Sequence, residues 1–486
     1  MKSLTRRPTA SLLLTGCLLA GCVNSDVSHT HEEIAQTLSQ RMESRSPERT
    51  VDAPHTQPDN LPVLSGKLNA ADAVKLALAN NQDLKIAYLS RGKADGLLMQ
   101  AYAGVMPVAD LSAEAESSST GKSESSRSTD DVSDDSYSVG VTITQPLWRS
   151  GSVAAGLRYA KLYVASSDLT IREQVQSTIR SVLEKYMNVL LEQHLVRVYE
   201  ESVGVAERLL QTTRNRRQQG TVSDYDVLRA QVEVANTKAA FINEKNALQS
   251  AIVSLLQVMG TSQNSQVEFT GELTFSPEAY DLDQASATAE VLRPDLAKAV
   301  ASLKMAEENI RIAHSAFGPS ADAFATGNYS NYAEDEWNDD WTIGAKVSLT
   351  LFDGFKRRGK VIEVRAARDQ AAETLRNLEE KAHVEVVNAL LQLKYADELY
   401  QSQKMNIDLA REGLRMLEAG SSRGKNTPVE VLDAQAALTK AMGAYYQAIY
   451  AHGLARLSIR SAMGSLSPEE PVDNLIKPSA RIPAVP

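Results

Sequence analysis

The chain says much of itself twice at fixed spacing. GTVSDYDVLRAQ, starting at Gly220, is echoed by GKNTPVEVLDAQ, starting at Gly424, and the offset of 424 − 220 = 204 also carries Leu228 onto Leu432 and Gln231 onto Gln435. The same offset carries Gly140 in YSVGVTITQPLW onto Gly344 in WTIGAKVSLTLF, and Met259-Gly260 onto Met463-Gly464. Upstream it becomes 295 − 83 = 212: NQDL, with Asp83, matches RPDL, with Asp295, and Pro107 matches Pro319. The change of 212 − 204 = 8 falls between Pro107 and Gly140, where SSSTGKSESSRSTDDVSDDS has a shorter counterpart in the second copy. Insertions are tolerated at exposed loop tips, so that run marks a loop. The 486-residue chain is therefore constrained to one architecture in two halves of roughly 200 residues, far longer than the ~20 to 50 residues of a solenoid unit.

Each copy reads as long helices around a short stretch of strands. Asn69 can cap a helix that opens AADAVKLALANNQDLKIAYLS and continues to Gly104 and Pro107, about 36 residues or ~54 Å. A proline-free run from Ser152 to about Gln219 gives a helix of about 67 residues or ~100 Å, and Ser223 to Met259 gives another of about 36. Ala, Leu, Gln, Glu, Lys and Arg dominate these runs and aromatics make up only 5% of the chain, a composition of extended helices rather than thick globular cores.

Between them, Tyr137, Val139, Val141 and Ile143 alternate with Ser138, Gly140, Thr142 and Thr144; Trp341, Ile343, Ala345 and Val347 alternate with Thr342, Gly344, Lys346 and Ser348. About ten residues with one apolar and one small polar face is the pattern of a membrane barrel strand. The preceding partners, ADLSAEAES and ADAFATGNYS, alternate more weakly. A half-buried soluble hairpin has the same period, and the helices alone would suit a solid bundle. One hairpin per copy gives four strands per chain. Four strands cannot close a barrel, and an open edge cannot stand in lipid. Three chains would supply twelve, an even number within the known range. The expected fold class is mainly α with a small membrane β-barrel, the long coiled helices continuing as a tube beneath the membrane.

The opening MKSLTRRPTASLLLTGCLLAGC, with Lys2, Arg6 and Arg7 before an apolar stretch ending in small residues, reads as an export signal. Its LAGC ending makes Cys22 the expected acylated residue, with LTGC at Cys17 as the competing match. The expected organisation is a lipoprotein signal at 1–21, a tether at 22–66, a first repeat at 67–260, a connector at 261–282, a second repeat at 283–464 and a tail at 465–486. The net charge is −10, and no basic block is interleaved with aromatics, which argues against a nucleic-acid partner. The seven histidines are scattered, no HExxH or phosphate-cradling glycine loop occurs, and HTHEE at 29–33 falls in the expected tether. The reading is no enzyme, no metal site and no cofactor.

Over about residues 64 to 464 the chain resembles the TolC-like outer-membrane efflux proteins, the exit ducts of tripartite pumps and type I secretion systems. The resemblance is carried by LNAADAVKLALANNQDLK, RPDL, QPLWRSG, LTLFDGF and the two quoted glycine motifs, in that duplicated order. It implies a homotrimer in the outer membrane, in contact with its lipid and extending into the periplasm, in which the long coiled helices form a trimeric periplasmic α-barrel and four strands per chain complete a 12-stranded outer-membrane barrel. It also implies a periplasmic adaptor and an inner-membrane transporter of RND or ABC type. The expected function is the exit duct of a small-molecule efflux pump. A type I secretion duct and a pore-less lipid-anchored scaffold are the alternatives.

The resemblance places the two glycine motifs at the periplasmic tip, where helix pairs close the tube. Locally, Gly220 suits a left-handed helix stop, Ser223 an N-cap and Asp226 a capping-box acid; Thr427, Pro428 and Glu430 repeat the arrangement. Asp226 and Glu430 could thus be caps alone. Arg229 and Asp433 are equivalent positions, 433 − 229 = 204, with opposite charge, and suggest charge pairs that hold the entrance shut. The family's acidic constriction would map to Glu430 and Asp433. Asn426 stands where a tip arginine would be expected, with Lys425, Arg423 and Arg217 as candidate substitutes.

Overall fold

The structure, a computed structural model, describes residues 61–119, 133–332, 337–422 and 425–468. The signal segment, most of the tether, Cys22 and the tail beyond 468 lie outside the described residues. The first repeat comprises helices α1 (Ala70–Asn80) and α2 (Gln82–Ala103), strands β2 (Val108–Ser119) and β3 (Ser133–Trp148), and helices α3 (Ser152–Gln218) and α4 (Asp224–Val258). The second repeats the order with α5 (Leu282–Leu292), α6 (Pro294–Ser315), β5 (Ser320–Tyr332), β6 (Asn338–Ser348), α7 (Lys356–Ser422) and α8 (Pro428–Ala462). Helix lengths match between copies: 11, 22, 67 and 35 residues in each. Two short strands stand apart, β1 (Ser65–Leu68) and β4 (Gln266–Phe269), paired in parallel.

Two sequence expectations are corrected. The first helix is not continuous, because Asn81 leaves helical geometry at ψ 129°. Its side chain caps α2 by accepting from Leu84 N at 3.0 Å and donates to Val258 O at 2.9 Å, and these bonds outweigh one turn of unbroken helix. The stretch expected to be a tether is ordered at its end, since β1 begins at Ser65 and draws its backbone partners from β4. β4 in turn lies in the expected connector, which is pinned to the core: Glu278 receives Arg456 and Arg460 of α8, and Phe275 stacks on Tyr400 of α7 at 3.9 Å.

The main core lies where β1, β4 and α1 pack on α3, α4 and α8, around Leu183, Tyr186, Met187, Leu190, Leu255 and Leu457. Tyr186 is fully buried, and its hydroxyl reaches Leu68 O at 2.8 Å and Thr270 O at 2.5 Å, tying the ends of β1 and β4 to α3. Burial pushes its pKa up to about 12. Helix adjacency differs at the two levels. α2, α3, α6 and α7 are neighbours in that order beside the strands, and α4, α3, α8 and α7 are neighbours away from them.

The four long strands form one antiparallel sheet in the order β2-β3-β5-β6. Register sorts the faces as the alternation predicts. Leu111, Val141, Gly327 and Trp341 share one face; Asp110, Thr142, Thr326 and Thr342 share the other. Gly140 and Gly344 now have a cause. A Cβ on Gly140 would fall 2.5 Å from Asn328 Oδ1, and one on Gly344 would fall 2.8 Å from Phe324 Cζ, so both glycines on the polar face make room for side chains of the weakly patterned β5. The edges, β2 and β6, have no further strand among the described residues.

The Met-Gly pairs mark equivalent junctions. Gly260 and Gly464 adopt φ 65° and 68°, and each ends its helix with a double closing bond: Gly260 N to Gln257 O and Thr261 N to Leu256 O, then Gly464 N to Ser461 O and Ser465 N to Arg460 O. A Cβ at Gly260 would meet Asn80 O at 2.5 Å, and one at Gly464 would meet Arg293 N at 2.9 Å. Gly260→Ala and Gly464→Ala should each destabilise the protein by more than about 1 kcal/mol, read as a lowered thermal midpoint. An unchanged midpoint for both would show that the junctions are loose.

A second prediction concerns Glu192 on α3, whose pKa is pushed up to about 7 by burial and then by Glu244 of α4. A raised carboxyl contributes stability that is complete below its ordinary value near 4.5 and is lost as pH rises through about 7. Glu192→Gln should match the wild type at pH 4.5 and exceed it at pH 8 by on the order of 1 kcal/mol, allowing for solvent screening of a partly exposed pair. Parallel stability curves from pH 4.5 to 8 would contradict this.

Candidate functional site at the paired helix turns

The turns joining α3 to α4 and α7 to α8 lie side by side. In the first, Gly220 is left-handed at φ 73°, with Gly220 N bonded to Arg217 O and Thr221 N to Arg216 O. Ser223 then caps α4: its Oγ accepts from Asp226 N at 3.2 Å, and Asp226 Oδ2 accepts from Ser223 N at 2.9 Å. The Ser223 hydroxyl and amide hold the Asp226 carboxyl below the usual range. In the second turn Thr427 Oγ1 accepts from Glu430 N at 3.3 Å, Glu430 Oε2 accepts from Thr427 N at 3.0 Å, and Pro428 fills the first helical position. Asp226 and Glu430 therefore both close capping boxes.

Arg229 and Asp433 are brought together across α4 and α8, with Nη2 to Oδ1 at 3.0 Å. Arg217 is engaged within its own turn, its Nε and Nη2 donating to the two carboxylate oxygens of Asp224 at 2.6 and 2.8 Å. That fork holds the Asp224 carboxyl below its ordinary value. Lys425 bonds through its backbone to Gly420 O at 2.9 Å, and its side chain is exposed. Arg423 and Gly424 lie outside the described residues. Asn426 turns onto the end of α7, so close that a Cβ at Gly420 would fall 2.5 Å from its Oδ1.

Sequence reasoning missed Arg216. Its Nη2 donates to Ser421 O at 3.1 Å and its Nη1 to Ser421 Oγ at 3.3 Å, and Ser421 is buried, so this arginine bolts one turn to the other. The equivalent position, 216 + 204 = 420, is a glycine, so the duplication itself offers no matching arginine in the second turn. Between the turns lies a polar cleft lined by Arg216, Ser223, Asp226, Lys425 and Thr427. Its charges are mostly matched inside one chain and exposed to solvent. Such an array can join or release helix ends.

Comparison with known proteins bears on the chain as a whole. The sequence profile of the outer membrane efflux protein family matches residues 73–261 and 285–465, both halves of the duplication. The chain is 23% identical over 397 residues to the pyoverdine export outer membrane protein OpmQ of Pseudomonas aeruginosa, covering 80% of this chain and 83% of that one. It is also 23% identical over 429 residues to the outer membrane protein TolC of Escherichia coli, covering 84% of each. Its fold superposes on the Campylobacter jejuni CmeC outer membrane channel with a TM-score of 0.72 at 17% identity, over 88% of this chain and 95% of that one. The chain belongs to the outer membrane efflux protein family: it is a TolC-like outer-membrane factor that extends into the periplasm.

Proposed function

We propose that three copies of this chain close into one duct, the outer-membrane exit of a tripartite pump that carries small molecules from the periplasm to the exterior. The observation that carries this reading is where exposed apolar surface lies. One sheet face presents Leu111, Val139, Val141, Ile143, Trp341, Ile343 and Val347 to the outside, while neither sheet edge has a further strand among the described residues. Below it, exposed large apolar side chains fall on α2 (Ile86, Leu89, Met99), α4 (Tyr225, Leu228, Ile242) and α7 (Leu391, Tyr395, Leu409), and none is found on α3 or α8. The helices at the open sides are thus apolar outward, whereas of the middle helices α3 and α8 show no such side chain and α6 shows only Val300. Three four-stranded sheets make 4 × 3 = 12 strands, a permitted barrel. Acylation of Cys22 would add a membrane tether.

An adaptor reaches the duct at the polar tip cleft, and an inner-membrane transporter completes the pump. Small-molecule cargo fits the export activity named for OpmQ. Arg229, Glu430 and Asp433 form the gate, with the Arg229–Asp433 bridge as its latch. Each exposed bridge is worth only ~0.2 to 1 kcal/mol, so threefold repetition is what makes the latch effective.

In detergent the protein should have three times the mass of one processed chain, each somewhat below the 52.8 kDa of the full sequence, and a monomer by light scattering would sink the duct. In planar bilayers the wild type should carry a small closed-state current. Asp433→Ala and Arg229→Ala should each raise it about 5-fold, the factor for roughly 1 kcal/mol across three weak pairs. Unchanged leakage in both variants would remove the gate and leave the duct; absence of any current would remove both.

A further inference from the structure

The strand-to-helix turns of the two repeats share a backbone path and differ in what they carry. After β3 two consecutive residues are left-handed, Ser150 at φ 50° and Gly151 at φ 88°; after β6 they are Gly354 at φ 64° and Phe355 at φ 70°. Phe355 is the equivalent of Gly151, 355 − 151 = 204. A left-handed backbone suits glycine and strains a bulky residue, and such strain persists where a side chain has a use. Phe355 does not serve the core. It is 65% exposed and stands edge-on to Phe352, also exposed, with ring centroids 5.7 Å apart.

The next three residues diverge in the same direction. Lys356, Arg357 and Arg358 open α7, where the first repeat has Ser152, Val153 and Ala154. Cations in a first turn oppose the helix dipole. Arg357 is engaged within the protein: its Nε lies 2.8 Å from Asp353 Oδ2, its Nη1 donates to Ala316 O at 3.1 Å, and it covers the Phe317 ring at 5.0 Å. Lys356 and Arg358 are exposed and, among the described residues, form no ion pair. The first repeat makes the same turn without them, so the fold does not require them.

The apolar face of β6 runs into this cluster. Trp341, Ile343 and Val347 are followed by Leu349, Leu351 and Phe352, all exposed. Aliphatic side chains, then aromatic rings, then unpartnered cations reproduce in order the acyl, interfacial and phosphate layers of a leaflet. We propose that Phe352, Phe355, Lys356 and Arg358 form a seat for an anionic phospholipid in the leaflet nearest the helices. The rings lie against the glycerol and upper acyl carbons, and the two cations flank the headgroup phosphate, with Arg358 offering a planar fork of donors. The seat rests on the reading that the sheet lies in the membrane.

The test compares wild type, Lys356→Ala/Arg358→Ala, Phe355→Gly and a Lys394→Ala charge control, each recovered from nanodiscs of mixed phosphatidylglycerol and phosphatidylcholine. Native mass spectrometry counts the lipids retained. Each cation near an anionic surface gives about a 5-fold preference, so wild type and Lys394→Ala should favour phosphatidylglycerol on the order of 10-fold or more, and the double variant should lose that preference. Phe355→Gly should unfold at no lower temperature than wild type yet retain less phosphatidylglycerol; a lower midpoint would defeat the argument from strain. Equal lipid retention by wild type and the double variant overturns the seat. Inorganic phosphate stabilising the wild type as well as the lipid does overturns the lipid as occupant. Normal bilayer current without lipid preference defeats the seat alone, whereas absence of current in the wild type defeats the membrane placement beneath it.

Discussion

A four-stranded sheet ends in two rows of unpaired backbone groups, and in hydrocarbon each such group costs several kcal/mol. That constraint governs what the chain can be. β2 follows α2 and β6 leads into α7, so the two open strand edges and the outward-apolar helices occur on the same two sides. In the proposed duct a single operation, setting one copy beside the next, would both satisfy backbone hydrogen bonding in the lipid and bury apolar side chains along the helices. Neither requirement could be met by closing one without the other.

The duplication lets one design serve at two positions that are alike but not identical. What is kept is the junction near the core: Asn81 Nδ2 donates to Val258 O at 2.9 Å, and its counterpart Arg293 uses Nη1 for the equivalent Ala462 O at 3.2 Å. What changes is the chemistry around that bond. Arg293 also grips Asp295 at 2.7 Å and Glu385 at 2.6 Å, while the position equivalent to Glu385, 385 − 204 = 181, is Ser181 in the first copy. The same freedom placed Arg229 opposite Asp433 and Phe355 where Gly151 stood. Shared backbone geometry fixes the unit, and the substitutions it tolerates distinguish one neighbour from the next.

Much of this was legible because its causes are local. Freedom from proline and high helix propensity fixed both 67-residue helices, capping chemistry located their turns, and two-residue alternation sorted the sheet faces. What escaped depends on partners far along the chain. Asn81 reads as a tolerable helix residue until Val258 O, 177 residues away, is within reach. β1 and β4 are four-residue strands whose partners lie about 200 positions apart. At the tip, opposite charges at equivalent positions pointed to Arg229 and Asp433, but nothing local revealed that Arg216 would reach Ser421, 205 residues away, or that Asn426 would fold onto Gly420.

The division of labour at the tip follows from magnitudes. Each capping box satisfies two orphan donors, and loss of a single cap typically costs about 1 kcal/mol, so unwinding the first turns of α4 and α8 is resisted four ways over by Ser223, Asp226, Thr427 and Glu430. The bridge between Arg229 and Asp433 is solvent-exposed and individually weaker. In the proposed gate the helices must then move as intact rods, because the contacts between them yield before their ends do. Arg216 confines that motion further: by donating to Ser421 it keeps the two turns of one chain together. The contact left to yield is the Arg229–Asp433 bridge between α4 and α8, which can part while the Arg216 link holds the two turns in register.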